Sequence, residues 1–135
     1  MIRKINNICK VTFYPLSNLS SEINRPGLDS VSFTGTGISL EVTSATLTEE
    51  DMGGAECVQS FSALVTDTSK NTSEVIFGIC AVFGILGLTL STGEERVVGS
   101  TEFPIALQYG LEGTPLHYKL AFKRNTPDRA KFRVL

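Results

Sequence analysis

Apolar and polar positions alternate with a period of two along much of this chain, the pattern of strands that bury one face. Ser30-Val31-Ser32-Phe33-Thr34 is the clearest run, and after Gly35-Thr36-Gly37 the alternation resumes at Ile38, Leu40 and Val42. Two alternating runs about a glycine-rich turn predict a hairpin, or one strand carrying a bulge. Residues 10–14 predict an earlier strand ended by Pro15, and residues 56–66 a long one with Phe61, Ala63 and Val65 on one face. Residues 85–91 and 95–99 predict a hairpin across Thr92-Gly93-Glu94. A further antiparallel pair, 103–109 with 116–124, encloses a loop at 110–115, and 132–135 predict a short last strand. Polar stretches at 16–29, 48–54 and 67–72 read as loops, the first with a turn at Asn24-Arg25-Pro26-Gly27 and the second acidic and flexible.

The uncharged run from 75 to 90 interrupts this pattern. Ser73 can cap a helix with Glu74 in its first turn, Gly84 can close it in the left-handed conformation, and Val75, Ile79, Val82 and Phe83 then share a face. Gly78 and the β-branched residues favour a strand instead; the balance predicts a short helix near 73–83. A helix over the whole run would reach about 24 Å, short of the roughly 30 Å of bilayer hydrocarbon. Gly78, Gly84 and Gly87 interrupt it and no Lys or Arg cluster flanks it, so the run reads as core and predicts no membrane partner. The expected fold is one domain over 1–135, mainly β (α+β), an antiparallel sheet of sandwich- or barrel-like form with one short helix.

Composition narrows the chemistry. The 135 residues are 41% hydrophobic and 19% charged, within the soluble globular range and long enough to bury a core without staples. A net charge of −2 argues against a nucleic-acid binder that works through overall basicity. Asn6, Asn7, Lys10 and Thr12 break any apolar stretch after Met1-Ile2-Arg3-Lys4, which argues against a secretory signal and leaves Asn18-Leu19-Ser20 and Asn71-Thr72-Ser73 without meaning as glycosylation sites. Cys9, Cys57 and Cys80 form no CxxC pair, each has an apolar neighbour, and all three are expected to be buried thiols.

Nothing in the chain gathers catalytic, cofactor or metal groups. The Gly35-Thr36-Gly37 turn lacks the third glycine and the following helix of a dinucleotide site. Glu49, Glu50 and Asp51 lack the spacing of a calcium loop and read as a solvated turn. His117, the one histidine, precedes Tyr118 on an alternating strand and reads as a half-exposed structural residue; no G-x-S-x-G accompanies it. Glu94 and Glu95 are adjacent, so on a strand their side chains diverge and cannot flank one bond.

Charge is distributed unevenly. From His117 onward Lys119, Lys123, Arg124, Arg129, Lys131 and Arg133 face one acid, Asp128, which puts that segment near +5 and the preceding 116 residues near −7. Three readings follow: a solvated face, a nucleic-acid contact with Tyr118, Phe122 and Phe132 as stacking platforms, or head-to-tail self-association. The aromatic spacing fits a core face better than a stacking platform. In the third reading the basic side chains of one copy meet Glu49, Glu50 and Asp51 of the next, a contact that generates rings or tubes.

From Phe61 onward the order of elements carries a resemblance. A strand, a polar loop and an apolar helix lead through a glycine hairpin to Arg96-Val97-Val98-Gly99-Ser100-Thr101-Glu102-Phe103-Pro104-Ile105-Ala106-Leu107, then to Tyr118-Lys119-Leu120-Ala121-Phe122. This resembles small virion proteins of phages and prophages of gut bacteria, of the tail or head–tail junction. The resemblance implies a non-enzymatic structural or assembly protein that forms a homo-oligomer, contacts other virion proteins, and resides in the virion or the bacterial host cytoplasm. The alternative is a small ligand- or carbohydrate-binding β module, which needs an aromatic-lined pocket from a chain with no Trp and three Tyr. A third reading, an enzyme centred on His117, finds no partner groups in the sequence.

Overall fold

The computed structural model describes residues 2–24, 30–53, 56–127 and 129–133. It is mainly β with one helix, built as two sheets. A five-stranded sheet runs β1 (Ile2–Ile5), β6 (Ser44–Asp51), β7 (Cys57–Val65), β11 (His117–Thr126), β10 (Gln108–Glu112). A seven-stranded sheet runs β3 (Leu19–Asn24), β4 (Ser30–Gly35), β12 (Lys131–Arg133), β9 (Glu95–Val98), β8 (Gly84–Leu90), β2 (Ile8–Pro15), β5 (Ile38–Glu41). All pairings are antiparallel except β12 with β4.

The main core lies between the sheets and takes alternate residues of each: Ala45, Leu47, Phe61, Ala63, Val65 and Leu120 from one, Val11, Phe13, Leu86, Leu88 and Val98 from the other. The intervening residues Tyr14, Ile85 and Val97 form a second core with Val31 and Phe33 on the far face of the seven-stranded sheet. Burial on both faces explains why 84–88 reads as a continuous apolar run rather than an alternating one.

The seven-stranded sheet is curled, and the chain itself requires the curl. β4 and β5 stand second and last in the strand order, yet only Thr36 and Gly37 join them. Three Cα steps span at most about 11 Å, whereas five strand spacings in a flat sheet come to about 24 Å. Of the two alternatives for 30–42, a hairpin or one bulged strand, the hairpin is therefore not formed. The segment stays extended but changes partners, β4 pairing with β3 and β12 and β5 pairing with β2. The glycines serve close packing: a Cβ on Gly35 would sit 2.6 Å from the Asn18 carbonyl oxygen, and one on Gly37 would strike Thr12 and Tyr14.

Helix α1 (Lys70–Ile79) lies about three residues earlier than the predicted 73–83. Ser69 is its cap, its hydroxyl accepting from the Thr72 amide, while the Asp67 carboxylate accepts from the Ser69 amide at 2.9 Å and the Thr72 hydroxyl at 2.6 Å. These contacts satisfy donors of the first turn that a Ser73 cap would leave open. Ile76 and Ile79 are buried, whereas Val82 and Phe83 follow the helix and are exposed. Gly84 opens β8 instead of capping α1; a Cβ there would meet the Phe13 ring and the Tyr14 carbonyl oxygen, both at 2.5 Å. Among the described residues no helix is long and apolar enough to cross a membrane.

Other expectations also shift. Part of the predicted 16–29 loop is a 3-10 turn (Leu16–Asn18) followed by β3, an edge strand whose polar residues hid it; the turn at 25–27 lies outside the described residues. β1 was not expected: its Arg3 lies directly opposite Glu49, so charge pairing rather than apolar alternation accompanies it. Of the predicted strand at 103–109 only a bridge between Ile105 and Gly84 and the first two residues of β10 form, and β10 runs on through part of the predicted 110–115 loop. Pro104 has no N–H to give a ladder there.

Candidate functional site

The acidic segment is not a solvated turn. Residues 49–51 continue β6, and the period that places Ala45 and Leu47 inward also buries Glu49, which is 2% exposed. Its Oε2 accepts from Gln59 Nε2 and from the Ala130 amide, each at 2.8 Å, and its Oε1 accepts from Arg3 Nη2 at 3.1 Å. Gln59, also buried, accepts at Oε1 from Arg124 Nε at 2.9 Å. Arg124 Nη1 donates onward to the carbonyl oxygens of Phe103 at 2.7 Å and Pro104 at 3.1 Å. A single polar chain thus links β1, β6, β7 and β11 to the segments at 103–104 and 130.

The remaining charges follow the same logic. Asp51 pairs with Arg129, whose hydrogen bond holds the carboxyl below its ordinary pKa. Arg133 donates to Tyr14 Oη at 2.7 Å, Glu95 Oε1 at 3.1 Å and the Phe33 carbonyl oxygen, with its guanidinium 4.2 Å from the Phe33 ring centroid. Burial, and then the Glu95 carboxylate, raise the Tyr14 phenol, against the lowering pull of Arg133. Lys131 is buried on β12. Of the nine side chains expected to form an interaction surface, Glu49, Asp51, Arg124, Arg129 and Arg133 make these contacts within one chain. Glu50, Lys119 and Lys123 are exposed. Of the basic end, Arg129 and the Ala130 amide meet the acidic segment of their own molecule.

Two shallow cavities accompany these groups. One of about 460 Å³ is lined by Thr89, Gly93, Glu94, Glu95, Phe132 and Arg133, but the Phe132 ring carries the Arg96 guanidinium 3.9 Å from its centroid. The other, about 250 Å³, lies between Ser44, Thr46, Ser62, Leu64, Glu112 and Lys119. Tyr118 and Phe122 are buried. His117 Nδ1 lies 3.3 Å from the Pro115 carbonyl oxygen and Nε2 3.6 Å from Glu112. Among the described residues no three His, Cys, Asp or Glu side chains are grouped so as to hold a metal. Cys57 is buried and Cys80 half-buried, with burial pushing the Cys80 thiol up to about 11, but Cys9 is exposed, against expectation.

The surface that the sequence did not reveal lies at β10. Every residue of this edge strand is exposed, and its outer side has no neighbouring strand among the described residues. Tyr109 and Leu111 lie opposite buried Leu120 and Tyr118, so they share the core-side face at the sheet's margin. Phe77 of α1 packs on Tyr109 at 5.3 Å between ring centroids, and both pack on Tyr118, whose hydroxyl donates to Ser73 Oγ at 2.7 Å. Phe77, Tyr109 and Leu111 are nevertheless 47%, 48% and 52% exposed. The alternation Tyr109-Gly110-Leu111 was the available signal; reading 110–115 as a loop divided it. No family model, curated protein or solved structure matches the chain.

Proposed function

We propose that this chain is a non-enzymatic structural protein that assembles through protein–protein contacts, as a homo-oligomer within a phage or prophage particle at the tail or head–tail connection. The observation that carries the assembly reading is the open β10 edge flanked by Phe77, Tyr109 and Leu111. An open strand offers directed backbone hydrogen bonds, and adjoining apolar rings gain by leaving water. The engagement of Arg124, Arg129 and Arg133 within the molecule favours sheet-edge contact over head-to-tail charge pairing. The particle assignment rests on the resemblance of the segment from Phe61 onward to small virion proteins.

Mass measurement in solution, from micromolar to millimolar chain, tests the assembly reading; concentration-dependent oligomers are expected, and a strict monomer that forms no ring or tube overturns it. Mass spectrometry of particles purified from the encoding strain tests the location. The chain is expected at a stoichiometric level, and its absence from intact particles overturns the assignment.

A further inference from the structure

Among the described residues the fold leaves four sheet edges. β1 carries Arg3 and Lys4, charges that oppose pairing with another strand, and β3 has a register irregularity between Ser20 and Ile23. β5 and β10 are both short, end in a glutamate and lack Lys and Pro; β10 differs in that all five of its residues are exposed and Tyr109 adjoins Phe77.

We infer that β10 is the seam of a two-fold dimer in which it pairs antiparallel with β10 of a second copy, with Gly110 opposite Gly110. This rests on the assembly reading and specifies its partner and register. Centring the dyad on Gly110 is the register that pairs all five residues of both strands. It sets Tyr109 against Leu111 of the other copy twice, and Gln108 against Glu112 twice, so apolar meets apolar and no carboxylate faces another. Gly110 has nothing within 4 Å of where a Cβ would stand, so no side chain covers the sheet face at the centre of the strand. A two-fold perpendicular to the sheet keeps both helices on the same side. The apolar strip then continues across the seam, Phe77 and Tyr109 of each copy leading to Leu111 of the other. The two five-stranded sheets become one continuous sheet, an isologous contact in which each copy presents the same patch.

The register makes a specific test possible. Tyr109→Lys with Leu111→Lys places lysine against lysine at both apolar pairs, and Tyr109→Glu with Leu111→Glu places glutamate against glutamate. Each double variant alone is expected to be monomeric by light scattering at concentrations where the parent chain is dimeric, and an equimolar mixture to recover the dimer. Circular dichroism checks that each variant folds. Independently, in a Cys9→Ser background, Gly110→Cys is expected to give a disulfide-linked dimer on mild oxidation. Gln108→Cys and Glu112→Cys are expected to cross-link when mixed but not when alone.

If the double variants assemble as the parent does, or the cross-links follow another pattern, this seam is wrong while the assembly reading stands. A parent chain that is monomeric throughout overturns both.

Discussion

Glu49→Ala probes the buried polar chain at its centre. The carboxylate accepts from two buried donors, Gln59 Nε2 and the Ala130 amide, and from Arg3, whose side chain is 48% exposed. Truncation leaves the Ala130 amide without its carboxylate acceptor, which costs about 1–3 kcal/mol, and takes from Gln59 one buried hydrogen bond, worth about 0.5–1.5 kcal/mol. Arg3 can turn to water, so its loss adds about 0–1 kcal/mol. The expected destabilisation is about 1.5–5.5 kcal/mol, a large share of the roughly 5–15 kcal/mol that holds a domain folded. With a urea m-value of about 2 kcal/mol/M, a loss of about 4 kcal/mol moves the midpoint down by about 2 M. Glu49→Gln retains an oxygen that can accept from both buried donors and presents its NH₂ only toward mobile Arg3, so it is expected to cost under half as much. Gln59→Ala combined with Glu49→Ala is expected to cost less than the sum of the single changes, because donor and acceptor then leave together. Equilibrium urea unfolding followed by circular dichroism measures the parent and the four variants. A Glu49→Ala loss below about 1 kcal/mol would refute the reasoning.

Further expectations concern packing, protons and thiols. Gly84→Ala is expected to destabilise by about 1–3 kcal/mol through collision with Phe13 and the Tyr14 carbonyl, whereas Gly78→Ala, with nothing within 4 Å, is expected to stabilise α1 by about 0.5–1 kcal/mol; thermal melts that rank the two the other way contradict the packing argument. Asp51 and Asp67 are held below the ordinary aspartate pKa, the first by Arg129 and the second by the Thr72 hydroxyl and Ser69. Their stabilising contribution is therefore complete above pH of about 4 and lost as pH falls through the lowered folded values. Urea midpoints should drop on acidification, less steeply in Asp51→Asn and Asp67→Asn, and equal slopes in parent and variants would exclude this origin. A maleimide at neutral pH is expected to label exposed Cys9 quickly and to reach buried Cys57 and half-buried Cys80, whose thiols burial pushes up, only on unfolding. Rapid labelling of all three, read by mass spectrometry, would contradict the burial.

How much of this was legible in the chain varies by element. β7 and β8 were readable because Phe61, Ala63 and Val65 repeat at every second position of the one and the other is apolar on both faces, and β11 because Tyr118, Leu120 and Phe122 repeat likewise. α1 was found but misplaced, since Ser69 and Ser73 are both plausible caps and only the Asp67 contacts separate them. β1, β3 and β10 were missed or cut short because edge strands bury little and lack the apolar signal that reveals central ones.

The amino-acid sequence by itself determined that the central segments extend, that one helix interrupts them, and which phase of β7 and β11 points inward, because these depend on neighbours two to four residues away. Only the tertiary structure decided that 30–41 changes partners instead of folding back, that β12 joins β4 in parallel, and that Glu49 lies in the interior. It also decided the use of the charge: Arg129 and Asp51 are 78 positions apart, and Ala130 and Glu49 are 81 apart. Whether an acid faces water or a buried donor is set by which distant segment arrives beside it, and no local pattern records that arrival.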